Sequence, residues 1–294
     1  MKKILIDVGS STVKVYEFLN EKLSLILQKS ILFKNDFDPE KGISQQSKQD
    51  LFELFKTIKS KNNEIPIEVY ATEIFRKISP STKQEFIKEV LNITGLNFNI
   101  ISQEQESYYL TKALIDKCAL SDPILIINIG GGSTELIVIK NQQVLEKHNI
   151  NFGVGTIITQ FPDINNSLSI VPITTVVDYV KELLPILENN PKIAFYTGGE
   201  LNYMTLANYP LKSNILFDDS DHPSVISLKD FQIKNKEVFE KITFKELEDL
   251  MPQNPKWMYG ARTCCAIAQA ICEKYLVTII IPSNSNIING VVRE

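Results

Sequence analysis

Histidine is nearly missing from this chain: of 294 residues only His148 and His222 carry an imidazole. That count excludes a histidine-rich metal centre, which needs several imidazoles at set spacing. Cysteine is scarce as well. Cys118, Cys264, Cys265 and Cys272 show no C-x-x-C spacing. The adjacent pair makes a poor disulfide framework, so buried, reduced thiols in a cytoplasmic protein are expected. No apolar run approaches the roughly 18 residues of a membrane span. The opening "MKKILIDVGSS" reaches Asp7 too soon for the core of a secretory leader, so no membrane partner is expected. Neither sign of charge dominates: 31 Lys/Arg against 35 Asp/Glu leave a net charge of −4, which gives no basis for binding a nucleic-acid polymer or an anionic membrane. The balance is uneven, with 17 basic against 16 acidic residues in 1–120 and 14 against 19 thereafter. An anionic ligand would therefore lean on the first half.

What the chain does have is length, ordinary composition and a repeat. At 294 residues it exceeds one typical domain, and 44% hydrophobic residues suffice for sizeable cores. A search for repeats pairs "ILIDVGSSTVKVYEF" at Ile4–Phe18 with "LIINIGGGSTELIVI" at Leu125–Ile139. Each reads as an apolar strand, a polar residue two places before the first glycine, a turn of small residues and a second strand. A third strand follows in both ("LSLILQKSILF"; "QVLEKHNINF"). The first half continues with a helix near Lys48–Ser60, strand "IEVYAT", a helix near Pro80–Ile93, strand "FNIIS" and a helix from about Gln103 to Cys118. The second continues with a helix near Thr174–Glu188, strand "IAFYTGG", a variable helical region through about Leu250, a helix near Gly260–Tyr275, strand "VTIIIPS" and the tail "NIINGVVRE". The same order is used twice, each half a mixed sheet with helices. The short polar joint "LSDP" sets the expected boundary, 1–121 and 122–294, and favours hinge motion.

The turns carry the chemistry. A turn bare of Cβ atoms lets backbone N–H groups converge into an anion-binding nest, usually for phosphate. Gly130, Gly131 and Gly132 make such a turn in the second copy, and the hydroxyls of Ser133 and Thr134 can donate to the same oxygens. Glu135 can hold a metal ion or order its water. Gly9, Ser10, Ser11 and Thr12 occupy the matching places in the first copy. A plain hairpin whose glycines permit positive φ fits one isolated Gly-Gly-Gly equally well. Two copies with matching polar residues favour phosphate, and twin turns facing across a cleft would clamp a phosphate chain.

In chain order, "IDVGSSTVKVYEF", "YATEIFRKI", "ISQEQESYY", "NIGGGSTEL", "YTGGELNYM" and "IPSNSNIINGVV" resemble the exopolyphosphatase and guanosine pentaphosphate phosphohydrolase (Ppx/GppA) family of the actin, sugar-kinase and Hsp70-like superfold. The resemblance covers nearly the whole chain. It implies an α/β fold of two ribonuclease H-like (actin-like ATPase) lobes, each with a mixed five-stranded sheet, around an interdomain cleft. It also implies hydrolysis of the terminal phosphoanhydride of a long anion. By it, Glu106 is the catalytic glutamate that positions and deprotonates water, and Arg76 contacts the transferred phosphoryl group. Asp7 and Glu135, with Asn128 at the place of a further carboxylate, surround Mg2+ (or Mn2+) and the phosphates. Gly198 and Gly199 match the third small-residue loop, where a nucleotide's sugar and base would lie. A homodimer is implied as well.

These roles suit phosphoryl transfer, which asks for positioning and charge neutralisation more than covalent chemistry. Plainer alternatives stay open for several residues. Lys14, a further phosphate-binding candidate, could be a solvated strand lysine. Glu106 could be a surface glutamate in the first turn of a helix capped by Ser102, with Glu104 on a different face. "YTGGE" could be a strand-to-helix turn. His222 in "DDSDHPS" could be a metal ligand, though a solvated acidic loop is favoured. Core packing is favoured over base stacking for Trp257.

The chain also departs from the family pattern. Asn128 replaces an aspartate and, without its charge, binds a hard cation less well. Gln103 and Gln105 stand where glycine and the first of paired glutamates are usual, Ser11 replaces an asparagine, and "MPQNPKWMYGAR" lacks the Arg-x-Asp of many members. The leading expectation is a short, core-only hydrolase releasing orthophosphate from inorganic polyphosphate. The alternatives are a guanosine pentaphosphate phosphohydrolase, a phosphate-chain-binding module whose hydrolysis has decayed, and an ATP-dependent kinase or chaperone ATPase of the same superfold.

Overall fold

The computed structural model describes residues 2–34, 37–115 and 122–294. Cys118 and the expected boundary at residue 121 lie outside them. The chain falls into two units, Met1–Tyr109 with Ile287–Glu294, and Leu110–Asn286.

The first unit is built on β1 (Lys2–Val8), β2 (Thr12–Leu19), β3 (Lys22–Ser30), α1 (Gln45–Lys61), β4 (Ile67–Ala71), α2 (Pro80–Thr94), β5 (Phe98–Ile100) and the start of α3 (Gln103–Ile115). Its sheet runs β3-β2-β1-β4-β5, antiparallel through the first three strands and parallel from β1 to β5. Alternation decides the faces. Ile4, Ile6, Val8, Val13 and Val15 meet Leu51, Phe52 and Phe55 of α1 and Phe86 and Val90 of α2 in one core. Within it, Phe75 lies edge-on to Phe33 at 5.2 Å and to Phe98 at 5.0 Å. That anchor holds the short 3₁₀ helix Glu73–Lys77. Ser44 caps α1 by accepting the Ser47 N–H, and α2 starts on Pro80 and stops on Gly95 at φ 69°.

The second unit repeats the plan: β6 (Ile124–Ile129), β7 (Thr134–Lys140), β8 (Gln143–Ile150), α4 (Val154–Gln160), α5 (Ile173–Leu183), β9 (Ile193–Thr197), α6 (Glu200–Leu206), β10 (Lys212–Ser213), β11 (Ser224–Ser227), α7 (Leu228–Glu240), α8 (Phe244–Asp249), α9 (Ala261–Lys274) and β12 (Ile279–Pro282). The repeat extends to the hairpins. Asn20 and Glu21 (φ 51° and 64°) join β2 to β3, and Asn141 and Gln142 (φ 49° and 62°) join β7 to β8, the left-handed pair that a two-residue hairpin uses.

The expected second sheet of five strands has seven, in the order β10-β11-β12-β9-β6-β7-β8. The two extra strands come from the stretch expected to be helical. A second correction concerns α5, which ends at Leu183 rather than near Glu188. Pro185 drives Leu184 out of the helical region, to ψ 143°. Arg262 of α9 is buried, and its guanidinium donates to the carbonyls of Val238, Ile164, Asn166, Ser167 and Ile242. It thereby fixes the "FPDINNS" loop. After β12, α10 (Ile287–Val291) returns to the first unit. Gly290 there sits so close to α3 that a Cβ would lie 1.8 Å from the Tyr109 carbonyl oxygen. Among the described residues no helix is long and apolar enough to cross a membrane.

Candidate active site

The two copies of the turn close in the same way. Gly9 N–H donates to Thr12 O at 3.0 Å, and Gly130 N–H donates to Ser133 O at 2.8 Å. Across the ladder just before each turn, Asp7 stands opposite Lys14 and Asn128 stands opposite Glu135. The carboxylate sits on the incoming strand in the first copy and on the outgoing strand in the second.

In the first unit, Asp7, Arg76 and Glu106 converge. Burial pushes the Asp7 carboxyl up to about 6; Lys14 opposes that shift, and the charge of Glu106 adds to it. Ser102 caps α3 in a reciprocal box, Gln105 N–H donating to Ser102 Oγ (3.1 Å) and Ser102 N–H to Gln105 Oε1 (2.9 Å). The unexpected glutamine thus has a capping role. It starts the helix so that Glu106 is buried while Glu104 faces outward. Arg76 leaves the anchored 3₁₀ helix and reaches Glu106 Oε2 through Nη1 at 2.6 Å, with Ile101 O at 3.4 Å. Opposite charges at that distance make a charge-assisted hydrogen bond, which fixes the two side chains against each other.

One residue of this group was not singled out from the sequence. Glu73 is buried, receives the Ser10 hydroxyl on Oε2 and pairs with Lys77 at 3.0 Å through Oε1. Its φ of 30° is rare for a residue with a side chain and marks local strain. That carboxylate fixes the first turn's serine.

In the second unit, Glu135 accepts from the Asn128 amide on Oε2 (2.9 Å) and from Ser133 Oγ on Oε1 (2.8 Å). Thr134 Oγ1 donates to Phe152 O (2.9 Å), and Thr197 Oγ1 to Ile127 O (3.1 Å). Positive φ is confined, among the described glycines, to Gly42, Gly95, Gly198 and Gly199. Gly130, Gly131 and Gly132 are therefore not present to permit left-handed backbone. Their carbonyls explain them better: Val154 N–H donates to Gly130 O (3.0 Å) and Gly155 N–H to Gly131 O (2.6 Å). Because a trans peptide puts its C=O and N–H on opposite sides, the amides of Gly131 and Gly132 point away from α4. Gly153, a second residue that sequence reasoning missed, makes this docking possible; a Cβ there would lie 2.4 Å from Gly130 O.

The third turn behaves differently. Gly198 and Gly199 adopt φ of 114° and 122°, and the amides of Gly199 and Glu200 both donate to Ser283 O, at 3.2 and 3.1 Å. Behind it, His222 is not solvated, and among the described residues no group of three or more His, Cys, Asp and Glu is placed to hold a metal. The imidazole is buried, with Nδ1 2.8 Å from Asp219 Oδ2 and Nε2 2.7 Å from Ser283 Oγ. Trp257 packs against Tyr203 at the edge of the core, as expected.

The sequence profile of the Ppx/GppA phosphatase family matches residues 21–247. The chain belongs to the Ppx/GppA phosphatase family. The chain is 27% identical over 220 residues to a bifunctional 3-dehydroquinate synthase/phosphatase of Fusobacterium nucleatum subsp. nucleatum, covering 73% of this chain and 32% of that protein. It thus spans about a third of that relative's length. An exopolyphosphatase from Cytophaga hutchinsonii has a similar structure, with a TM-score of 0.78 at 15% identity, covering 100% of this chain and 97% of the other. The type II variant of the Aquifex aeolicus Ppx/GppA phosphatase superposes with a TM-score of 0.73 at 19% identity, over 100% and 99% of the two chains. These likenesses establish the actin-like fold of the Ppx/GppA phosphatases.

Proposed function

We propose that this Ppx/GppA phosphatase releases terminal orthophosphate from inorganic polyphosphate by direct attack of water. The observation that carries the reading is the convergence of Arg76, Glu106 and Asp7 beside the Gly9–Thr12 turn. Glu106 takes the proton of the attacking water. Arg76, with donors beyond the Nη1 that meets Glu106, steadies the three oxygens of the transferred phosphoryl group. The Gly9–Thr12 turn, with Lys14, holds phosphate oxygens through backbone N–H groups; the hydroxyls of Ser10, Ser133 and Thr134, expected to donate to phosphate, donate to protein acceptors instead.

A divalent ion suits the donor set. Magnesium commonly takes one or two protein carboxylates and fills its other positions with water and phosphate oxygens. Asp7, buried and with a raised pKa, gains from a nearby cation; within the second unit, Glu135 is the carboxylate that could meet one. Asn128 offers an amide oxygen at most, and among the described residues no group of three or more His, Cys, Asp and Glu is placed to hold a metal. Bound there, the ion would neutralise charge on the phosphates. A cytoplasmic homodimer completes the proposal, on the family resemblance and, for the compartment, on the buried free thiols of Cys265 and Cys272.

One observation favours a second reading, a phosphate-chain-binding module with weakened turnover. Asn128 donates to Glu135 and so occupies a carboxylate oxygen that an ion would use. Orthophosphate release from short linear polyphosphate with magnesium separates the two. Turnover that is lost in Glu106→Gln supports the hydrolase, an unchanged mutant defeats the assignment of the base, and tight binding without release favours the module. Competition by guanosine pentaphosphate ranks the alternative substrate.

A further inference from the structure

Outside glycine, positive φ occurs at seven of the described residues. Four form the two strand hairpins, and Asn208 and Leu276 lie two residues past the ends of α6 and α9; all six are exposed. The seventh, Glu73 at φ 30°, is buried and begins the 3₁₀ helix that carries Arg76. Hairpins and helix ends call for left-handed backbone by their geometry. The start of a 3₁₀ helix does not, and a strained residue persists there only where its surroundings over-determine it.

The restraints on Glu73 come from both sides. Thr72 N–H donates to Val8 O at 3.1 Å, which ties the segment to the end of β1, and Phe75 N–H donates back to Thr72 O at 3.1 Å. Lys83 Nζ donates to the Arg76 carbonyl at 2.9 Å. Between these points the Glu73 side chain reaches the Gly9–Thr12 turn: Oε2 accepts the Ser10 hydroxyl, and Oε1 meets Lys77 Nζ at 3.0 Å. Ile74 and Phe75 beside it belong to the apolar core, so packing does not call for a carboxylate here. The Ser10 hydroxyl does, since a buried donor needs an acceptor.

We propose that Glu73 is a positioning residue for the proposed hydrolysis. By holding Ser10 at one end and the 3₁₀ helix at the other, it sets where the first turn, which grips phosphate oxygens, stands relative to Arg76, which meets the phosphoryl group in transfer. This role rests on the hydrolase reading and adds to it a residue that acts through others. A group that fixes the geometry of transfer lowers kcat when it is lost and leaves KM alone, and small displacements of a reacting group are costly in rate.

Steady-state orthophosphate release from tripolyphosphate with magnesium, together with melting temperatures, tests it on the full chain. Glycine accepts φ 30° without strain, so Glu73→Gly removes the tether and the strain together. It is expected to lower kcat roughly ten- to a hundredfold, with KM within about threefold and a melting temperature within about 4 °C of the parent chain. Glu73→Gln keeps the reach and one acceptor oxygen and is expected to hold kcat within about threefold. Ser10→Ala is expected to lose as much as Glu73→Gly, and the double variant no more than either alone, the mark of two groups acting as a unit. A Glu73→Gly chain with the parent's kcat overturns the role. So does a Glu73→Gln chain that loses as much as the glycine variant, since charge and not the tether would then matter. Losses that add in the double variant, or melting losses that grow with the losses in kcat, overturn it too and leave Glu73 a structural residue. A parent chain that releases no orthophosphate is a different result: it overturns the hydrolase reading itself, and this role with it.

Discussion

Nη1 of Arg76 lies 2.6 Å from Oε2 of Glu106, joining the 3₁₀ segment after β4 to the first turn of α3. In the proposed hydrolysis the pair would join two groups, one to draw a proton from water and one to receive negative charge. Lysine keeps the charge of Arg76 but loses the planar fork. Arg76→Lys is expected to lower kcat for phosphate release by about a hundredfold or more, the scale of losing one transition-state donor, with a melting temperature close to that of the parent chain. A kcat within threefold of the parent would remove Arg76 from the reacting centre.

Asp7 sets a pH dependence whose sign follows from its burial. Its carboxyl is raised from 3.8 to about 6 in the folded chain. Between those values the unfolded chain has lost this proton and the folded chain still holds it, so stability falls as pH rises through the window and then levels off. The cost at neutral pH is about 3 kcal/mol, at 1.36 kcal/mol per pKa unit. In chelator, Asp7→Asn is expected to melt higher than the parent at pH 7.5 and to lose the decline between about pH 4 and 6. Denaturant titrations at five pH values check it, and parallel pH curves for the two proteins would contradict it.

The sequence showed most of the scaffold because its signals are local. Apolar runs and small-residue turns repeat along the chain, and they place β1–β3 and β6–β8. Misses occurred where the cause is remote or brief. β10 and β11 hold two and four residues at a sheet edge, too short for a period to register. Glu73 is explained by Ser10, 63 positions away, and Gly153 by the backbone of Gly130. His222 reads as a solvated histidine among aspartates because its second partner, Ser283, lies 61 residues on. Composition describes a segment's solubility, while these residues are governed by whatever packs against them.

Gly153 provides a steric test of the second turn. A Cβ there would meet Gly130 O at 2.4 Å, Gly132 N at 2.8 Å and Ser133 N at 2.9 Å, all backbone, whereas at Gly260 it would meet the Val154 Cγ1 and Cγ2 methyls at 3.2 and 3.8 Å. Backbone cannot rotate away as a methyl can. Gly153→Ala is expected to cost about 1–3 kcal/mol of stability and to weaken tripolyphosphate binding at least tenfold. Gly260→Ala should do neither to the same degree. Matched affinities in the two variants would mean that the Gly130–Gly132 turn contributes nothing to the phosphate site.

Asn128 provides a test of whether the second turn takes a cation. Its amide donates to Glu135 Oε2 at 2.9 Å, while Ser133 Oγ donates to Oε1, so the buried carboxylate is satisfied by neutral donors. Aspartate at 128 replaces a donor by a second negative charge at hydrogen-bond distance, and two carboxylates that close cannot both ionise without a cation or a shared proton. Asn128→Asp is therefore expected to lose about 1–3 kcal/mol of stability in chelator at pH 7.5. It should recover most of that loss in millimolar magnesium, which would bind the variant more tightly than the parent. If turnover rises with magnesium in the variant, Asn128 limits the parent's rate; if the ion tightens and turnover does not rise, the limit lies with Arg76 and Glu106. A variant whose melting temperature ignores magnesium would show that Glu135 takes no part in holding an ion, leaving Asp7 as the carboxylate that does.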